Sequence, residues 1–315
     1  MPKEGQEGAT AVRPEEAFSL LGNETRFAIL RALWEFFDPP DSSPVSYSDL
    51  MDAVGVRDSG NFNYHLGKLE GHFVESTDDG YVLTAAGEQI VQTVVAGTAV
   101  DQTSMEAVHV GVVCPVCGGT ETTIEYDDET LTVQCHTCDG LFPSPPGKLA
   151  EFQLPPAGLA GREPEAIFRS AIAHVTLETR SMIAGVCPRC ASEPTVDVEW
   201  CPEHDDRRDR CEVPGCTCSP IVEYLCQRCK HIWRFPTWCN VLWHPATIAL
   251  FHEQDVDIEP LSWNYYARGR EFDQTVHDTD PPRLSVTVGA EDAALEFTFD
   301  ETMSVLSVER TDAEH

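Results

Sequence analysis

The chain has 315 residues, 42% of them hydrophobic, with 53 acidic against 21 basic side chains and a net charge of −32. That length suits roughly two domains of about 150 residues, and no run of about 18 apolar residues is present to cross a membrane as a helix. The polar opening, MPKEGQEGATAVRPEE, has no apolar core of the secretory kind, so the chain is expected to be cytoplasmic. Residues 1–13 read as a disordered tail. From Pro14 the pattern is helical, with PEEAFSLLG ending at Gly22. Asn23 can cap the next helix, ETRFAILRALWEFF, whose Phe27, Ile29, Leu30, Leu33, Trp34 and Phe37 share one broad face. Ser46, with Asp49 three residues on, caps SYSDLMDAVG. VRDSGNFNYHLGKLEG follows as a helix with Phe62, Leu66 and Leu69 inward. HFVES and YVLT form a hairpin that turns at Asp78, Asp79 and Gly80, and AAGEQIVQTVVAGTAV is a closing helix.

The order of LGNETRFAILRAL, YSDLMDAVG, NFNYHLGKLEG and FVES…YVLTAAG resembles the ArsR-type family of winged helix-turn-helix transcriptional regulators. The resemblance implies a DNA-binding domain over 14–105, with double-stranded DNA as partner and the helix around 58–70 in the major groove. It also implies a homodimer through residues 84–105, and an effector molecule that the sequence does not identify. Metal sensors of that family carry cysteines on this domain; residues 1–113 contain none, so metal sensing here is not expected. In such a helix the N-terminal side chains face base edges. Here they are Ser59, Asn61, Asn63, Tyr64 and His65 beside Asp58, with Arg57 and Lys68 placed for phosphates. Asparagine suits adenine bidentately, whereas Tyr64 and His65 have the alternative of packing against the hairpin. Residues 14–99 hold four basic and fourteen acidic side chains, and the hairpin tip Thr77, Asp78, Asp79 offers a phosphate little. The acidity, with lysine only at Lys3, Lys68, Lys148 and Lys230, resembles that of halophilic archaeal proteins. At molar salt the Debye length is about 3 Å, so an acidic face repels phosphate only near contact.

All 13 cysteines lie beyond residue 113, and their spacing is that of ligands. Cys114, Cys117, Cys135 and Cys138 form two CxxC pairs that flank TETTIEY and TLTVQ, a hairpin turning on DDE. That is a zinc ribbon, expected over 106–146, with Gly118, Gly119 and Gly140 letting the backbone turn at the sulfurs. Four thiolates at about 2.3 Å suit tetrahedral Zn²⁺ and leave no open position for catalysis. Cys187, Cys190, Cys226 and Cys229 repeat the pattern over 187–235, with PTVDVEW, IVEYL and IWRF as strands. The long insertion between those pairs carries Cys201, His204, Cys211, Cys216 and Cys218. A third zinc would draw on Cys201, His204, Cys211 and either Cys216 or Cys218; the alternative is a thiol-rich loop without metal. Cys239 reads as a buried apolar thiol. The CxxC motifs come in pairs, which argues against a redox motif, and no H-x-E precedes them as in a zinc deaminase.

The remainder, 147–315, reads as a domain that contains the second ribbon and an antiparallel sheet; the Pro/Gly-rich segment 143–164 that leads into it includes a strand-like KLAEFQL. EAIFRSAIAHVTLETRSMIAG is a largely buried helix, with Ala166, Ile167, Ala171, Ala173, Val175, Leu177 and Met182 on its packed surface and His174 as a core histidine. HPATIALFHEQ is a short helix; RLSVTV, ALEFTF and SVLSVER are strands. Trp233, Trp238, Trp243, Trp263, Tyr265 and Tyr266 either pack the core or line a ligand pocket. The fold class is α+β. No catalytic constellation is present, so the chain is expected to be a regulator and not an enzyme. The other readings are a protein-interaction module of the transcription machinery and, more weakly, a zinc hydrolase.

Overall fold

The computed structural model describes residues 19–38, 43–97, 103–142, 145–200, 220–256, 262–290 and 292–312. The expected tail, 1–13, lies outside them. The chain divides into two compact units, Met1–Asp101 and Gln102–His315. It is a mixed α+β protein in which each ladder between named strands is antiparallel. No helix among the described residues is long and apolar enough to cross a membrane.

The first unit packs α1 (Glu24–Glu35), α2 (Tyr47–Val54), α3 (Ser59–Leu69) and α4 (Ala85–Val95) with the hairpin of β1 (Val74–Thr77) and β2 (Gly80–Leu83). Each helix start is closed by the side chain before it. Asn23 accepts from the Arg26 N–H, Ser46 from Asp49, Asp58 from Gly60 and Asn61, and Thr84 from Gly87. The Ser46 hydroxyl also donates to the Asp49 carboxylate at 2.7 Å. Ile29, Leu30, Leu50, Phe62, Leu66, Leu69 and Val74 form the fully buried centre. Val45 extends the hairpin by exchanging two 2.9 Å hydrogen bonds with Tyr81. Gly87 is required where α4 meets the end of α3's loop, because a Cβ there would run into the Phe73 carbonyl.

The second unit holds three sheets. The first runs β3 (Met105–His109), β4 (Thr122–Asp127), β5 (Thr130–Cys135), β6 (Lys148–Gln153). It crosses both sequence-based boundaries of the first ribbon. Strand β3 begins at the 105/106 boundary, and KLAEFQL, expected beyond 146, is hydrogen-bonded to β5 as β6. The second sheet is β7 (Thr195–Glu199), β8 (Ile221–Leu225), β9 (Ile232–Pro236). The third is a meander of β10 (Asp273–Thr279), β11 (Pro282–Gly289), β12 (Ala293–Phe299), β13 (Val305–Asp312).

One helix, α5 (Pro164–Ile183), serves two cores. Ile167, Phe168, Ala171, Ile172 and Val175 pack on the first sheet, while Met182 joins the core beneath the second and third. That second core also takes α6 (Cys239–Leu242), α7 (Pro245–Glu253) and α8 (Trp263–Arg268). The expected packed surface of α5 needs one correction: Leu177 is 65% exposed, whereas Thr176, Glu178 and Thr179 are buried. At about 100° per residue, Leu177 points away from the stripe that starts at Ile167, and Glu178 falls on it.

Candidate functional site

Two groups of four cysteines come together in the second unit. Within each group all four sulfurs lie within 4.8 Å of one another. In the first group, Cys114 Sγ is 3.7 Å from Cys138 Sγ, and Cys117 Sγ is 3.7 Å from Cys135 Sγ. In the second, Cys187–Cys229 and Cys190–Cys226 are 3.5 and 3.4 Å apart. These distances are too long for a disulfide, about 2.05 Å, and close to the edge of about 3.8 Å for four sulfurs set tetrahedrally at about 2.3 Å from a centre. All eight thiols are free. Each group could hold a metal ion.

The sheets make this geometry. The Thr122–Cys135 register of β4 and β5 carries one CxxC turn to the side of the other. Both turns of the second group are tied alike: Cys187 donates to the Ser192 carbonyl and Cys226 to that of His231. Three of the four turns put the residue after the second cysteine in the left-handed region: Gly118 at φ 72°, Ala191 at 58° and Lys230 at 62°. Backbone N–H groups point at the sulfurs, Val116 to Cys114 and Thr137 to Cys135, each at 3.4 Å. Without a cation the thiols titrate apart. Burial pushes Cys114 up to about 12. Burial also raises Cys135, but the Thr137 and Cys138 N–H groups and two neighbouring thiols outweigh it and hold that thiol at about 7. The Ser192 hydroxyl and N–H bring Cys190 down to about 6. A bound divalent ion would remove this spread by taking all four as thiolates.

Around the second group stands a residue with no sequence-based role. Buried Glu178 of α5 holds Arg189, inside the Cys187–Cys190 turn, at 3.2 Å. His174 approaches the same carboxylate at 3.6 Å and is half-buried. Thr179 accepts from the Trp233 indole at 2.9 Å, and the Ser181 hydroxyl donates to the Val186 carbonyl at 2.7 Å. One face of α5 thus braces a CxxC turn. The available signal was a carboxylate at an apolar-stripe position.

The other candidate surface is α3 in the first unit. Arg57, Ser59, Asn61, Asn63, Tyr64 and Lys68 are exposed and His65 is half-buried, above buried Phe62, Leu66 and Leu69. Tyr64 is 60% exposed, its ring edge-on to His65 and 5.7 Å beneath the Lys68 ammonium. Asp58 is used locally, its carboxylate accepting from Gly60 at 2.9 Å and Asn61 at 3.2 Å.

A family model described as a domain of unknown function, DUF7351, matches residues 111–305, more than half of the chain. The chain belongs to the DUF7351 family. A second model, DUF7347, also described as a domain of unknown function, matches residues 14–94. No curated protein and no solved structure matches the chain. The DUF7351 region contains both four-cysteine groups and α5, and the DUF7347 match contains α1–α3, the hairpin and all but the last residue of α4. Cys201, His204, Cys211, Cys216 and Cys218, the expected third set, also fall in the DUF7351 region but outside the described residues. Within the same region Cys239 is fully buried beside Tyr266, and burial raises its thiol well above the usual value. Trp238, Trp243 and Tyr265 are buried in the core.

Proposed function

We propose that this DUF7351 chain is a DNA-binding transcriptional regulator that catalyses no reaction. In this reading residues 14–105 are an ArsR-like winged helix-turn-helix, β1–β2 is the wing, and α3 reads bases through Asn61 and Asn63. Arg57 and Lys68 contact phosphates, and residues 84–105 form the homodimer. The observation that carries it is the two-sidedness of α3: Phe62, Leu66 and Leu69 are fully buried, while the opposite face exposes the amides, a tyrosine and a lysine. A helix anchored this way can present its polar face to a groove about 12 Å wide.

In the same reading the four-cysteine groups hold structural Zn²⁺. Thiolate-only donor sets favour zinc or iron–sulfur chemistry over magnesium or calcium, and four protein ligands close the tetrahedron. The test is selection of random duplexes by the full-length protein in molar KCl. An enriched motif that disappears in Asn61→Ala/Asn63→Ala, with zinc content unchanged, supports the reading. Absence of any enriched duplex refutes it. A second reading, an interaction module for a protein of the transcription machinery, is favoured by exposed Val113, Val116 and Val186 beside the cysteine turns; it predicts that no duplex is selected.

A further inference from the structure

A cavity of about 270 Å³ opens in the second unit beside the first cysteine group. Its apolar part is Val112, Phe168, Ile172 and Trp263; Glu165 and Arg169 line it from α5, one helical turn apart. Neither charged side chain has an ion-pair partner among the described residues. The opposite wall is the segment 110–113, where Gly111 sits at φ 63° and the N–H groups of Gly111, Val112 and Val113 donate to no acceptor among the described residues. The Trp263 indole does not need the cavity for its own hydrogen bond, since it donates to the Val113 carbonyl at 2.8 Å. That bond fixes the ring as a wall and ties the wall to Cys114, the next residue in the chain.

The geometry points to a binding site for a free α-amino acid with an apolar side chain. A cavity of about 150 Å³ accepts a benzene ring, so this one has room for such a ring and a small head group. A guanidinium with no ion-pair partner among the described residues matches a carboxylate, and a carboxylate in the same state one turn away matches an ammonium. A plain organic acid would leave Glu165 facing a like charge, and a plain amine would do the same to Arg169. The zwitterion satisfies both. The proposal stands whether or not α3 reads DNA, because every group in it belongs to the second unit.

The test is calorimetric titration of the full-length, zinc-loaded protein in molar KCl with L-phenylalanine, 3-phenylpropionate (no ammonium) and phenethylamine (no carboxylate). L-Phenylalanine should bind about tenfold more tightly than either partial analogue, the loss expected for one charged hydrogen bond at a half-open rim. Arg169→Gln should abolish the preference over phenethylamine, and Glu165→Gln the preference over 3-phenylpropionate. Both variants change exposed side chains, so folding is not at stake. No binding of L-phenylalanine, L-leucine or L-tryptophan at millimolar concentration overturns the proposal, as does equal binding of the three phenyl probes.

Discussion

The cysteine turns store backbone strain that substitution should release. Ala191 follows Cys190 at φ 58°, where an L side chain costs about 1–2 kcal/mol. Glycine at that position removes the cost but loses about 0.5–1 kcal/mol through its larger freedom in the unfolded chain. Ala191→Gly should therefore stabilise the second unit by about 0.5–1 kcal/mol. For a unit of this size that is a rise of roughly 1–4 °C in Tm. The inverse substitution is available in the same molecule. Gly118 occupies the matching place at φ 72°, and an added Cβ meets nothing within 4 Å, so Gly118→Ala changes only the backbone preference. It should lower stability by a similar amount. The two positions belong to different cysteine groups, so the double variant should return close to the parent. Calorimetric melts of zinc-loaded protein in molar KCl measure all three. A fall in Tm for Ala191→Gly, or no change for Gly118→Ala, would refute the strain account of these turns.

In the proposed zinc-bound state, Cys226→Ser should remove the metal equivalent of the second cysteine group, read by mass spectrometry under native conditions, while Cys239→Ala keeps the metal of both groups; loss of metal in Cys239→Ala would mean the ligand sets are wrong. Gly87→Ala should cost the first unit about 1–3 kcal/mol by overpacking against the Phe73 carbonyl, and a neutral effect in denaturant titration would show that α4 can slide. His244 caps α7 by accepting from the Ala246 N–H at 3.2 Å and lies edge-on to Phe297, and burial lowers its pKa below the usual 6.5. The folded state thus binds that proton less well than the unfolded state. Stability from His244 is present above pH 6.5 and declines as pH falls below it, a decline that His244→Asn should remove from a pH series of melts.

Much of the local structure of both units was legible because its signals are short-range. In the first unit Asn23 and Ser46 cap helices, each accepting from the N–H three residues on. The Asp128–Glu129 turn, both residues at positive φ, follows from an acidic pair between two alternating runs. The cysteine groups were legible for a related reason: a CxxC turn places two sulfurs on one side of a tight loop, whatever the rest of the chain does. Strand β3 gave little such signal, and KLAEFQL could be read as a strand without its partner being named. Its pairing with β5 spans residues that no local pattern connects.

The CxxC pairs, the Asn23 and Ser46 caps and the inward face of α3 were thus legible from residues within a turn or two of one another along the chain. Tertiary structure alone decided that α5 would face two cores, that Glu178 and not Leu177 would be buried, and that Glu165 and Arg169 would meet Trp263 across a cavity. Those outcomes depend on which surfaces arrive from far along the chain, and periodicity can say that a helix has an apolar side without saying how wide a stripe its neighbours will cover.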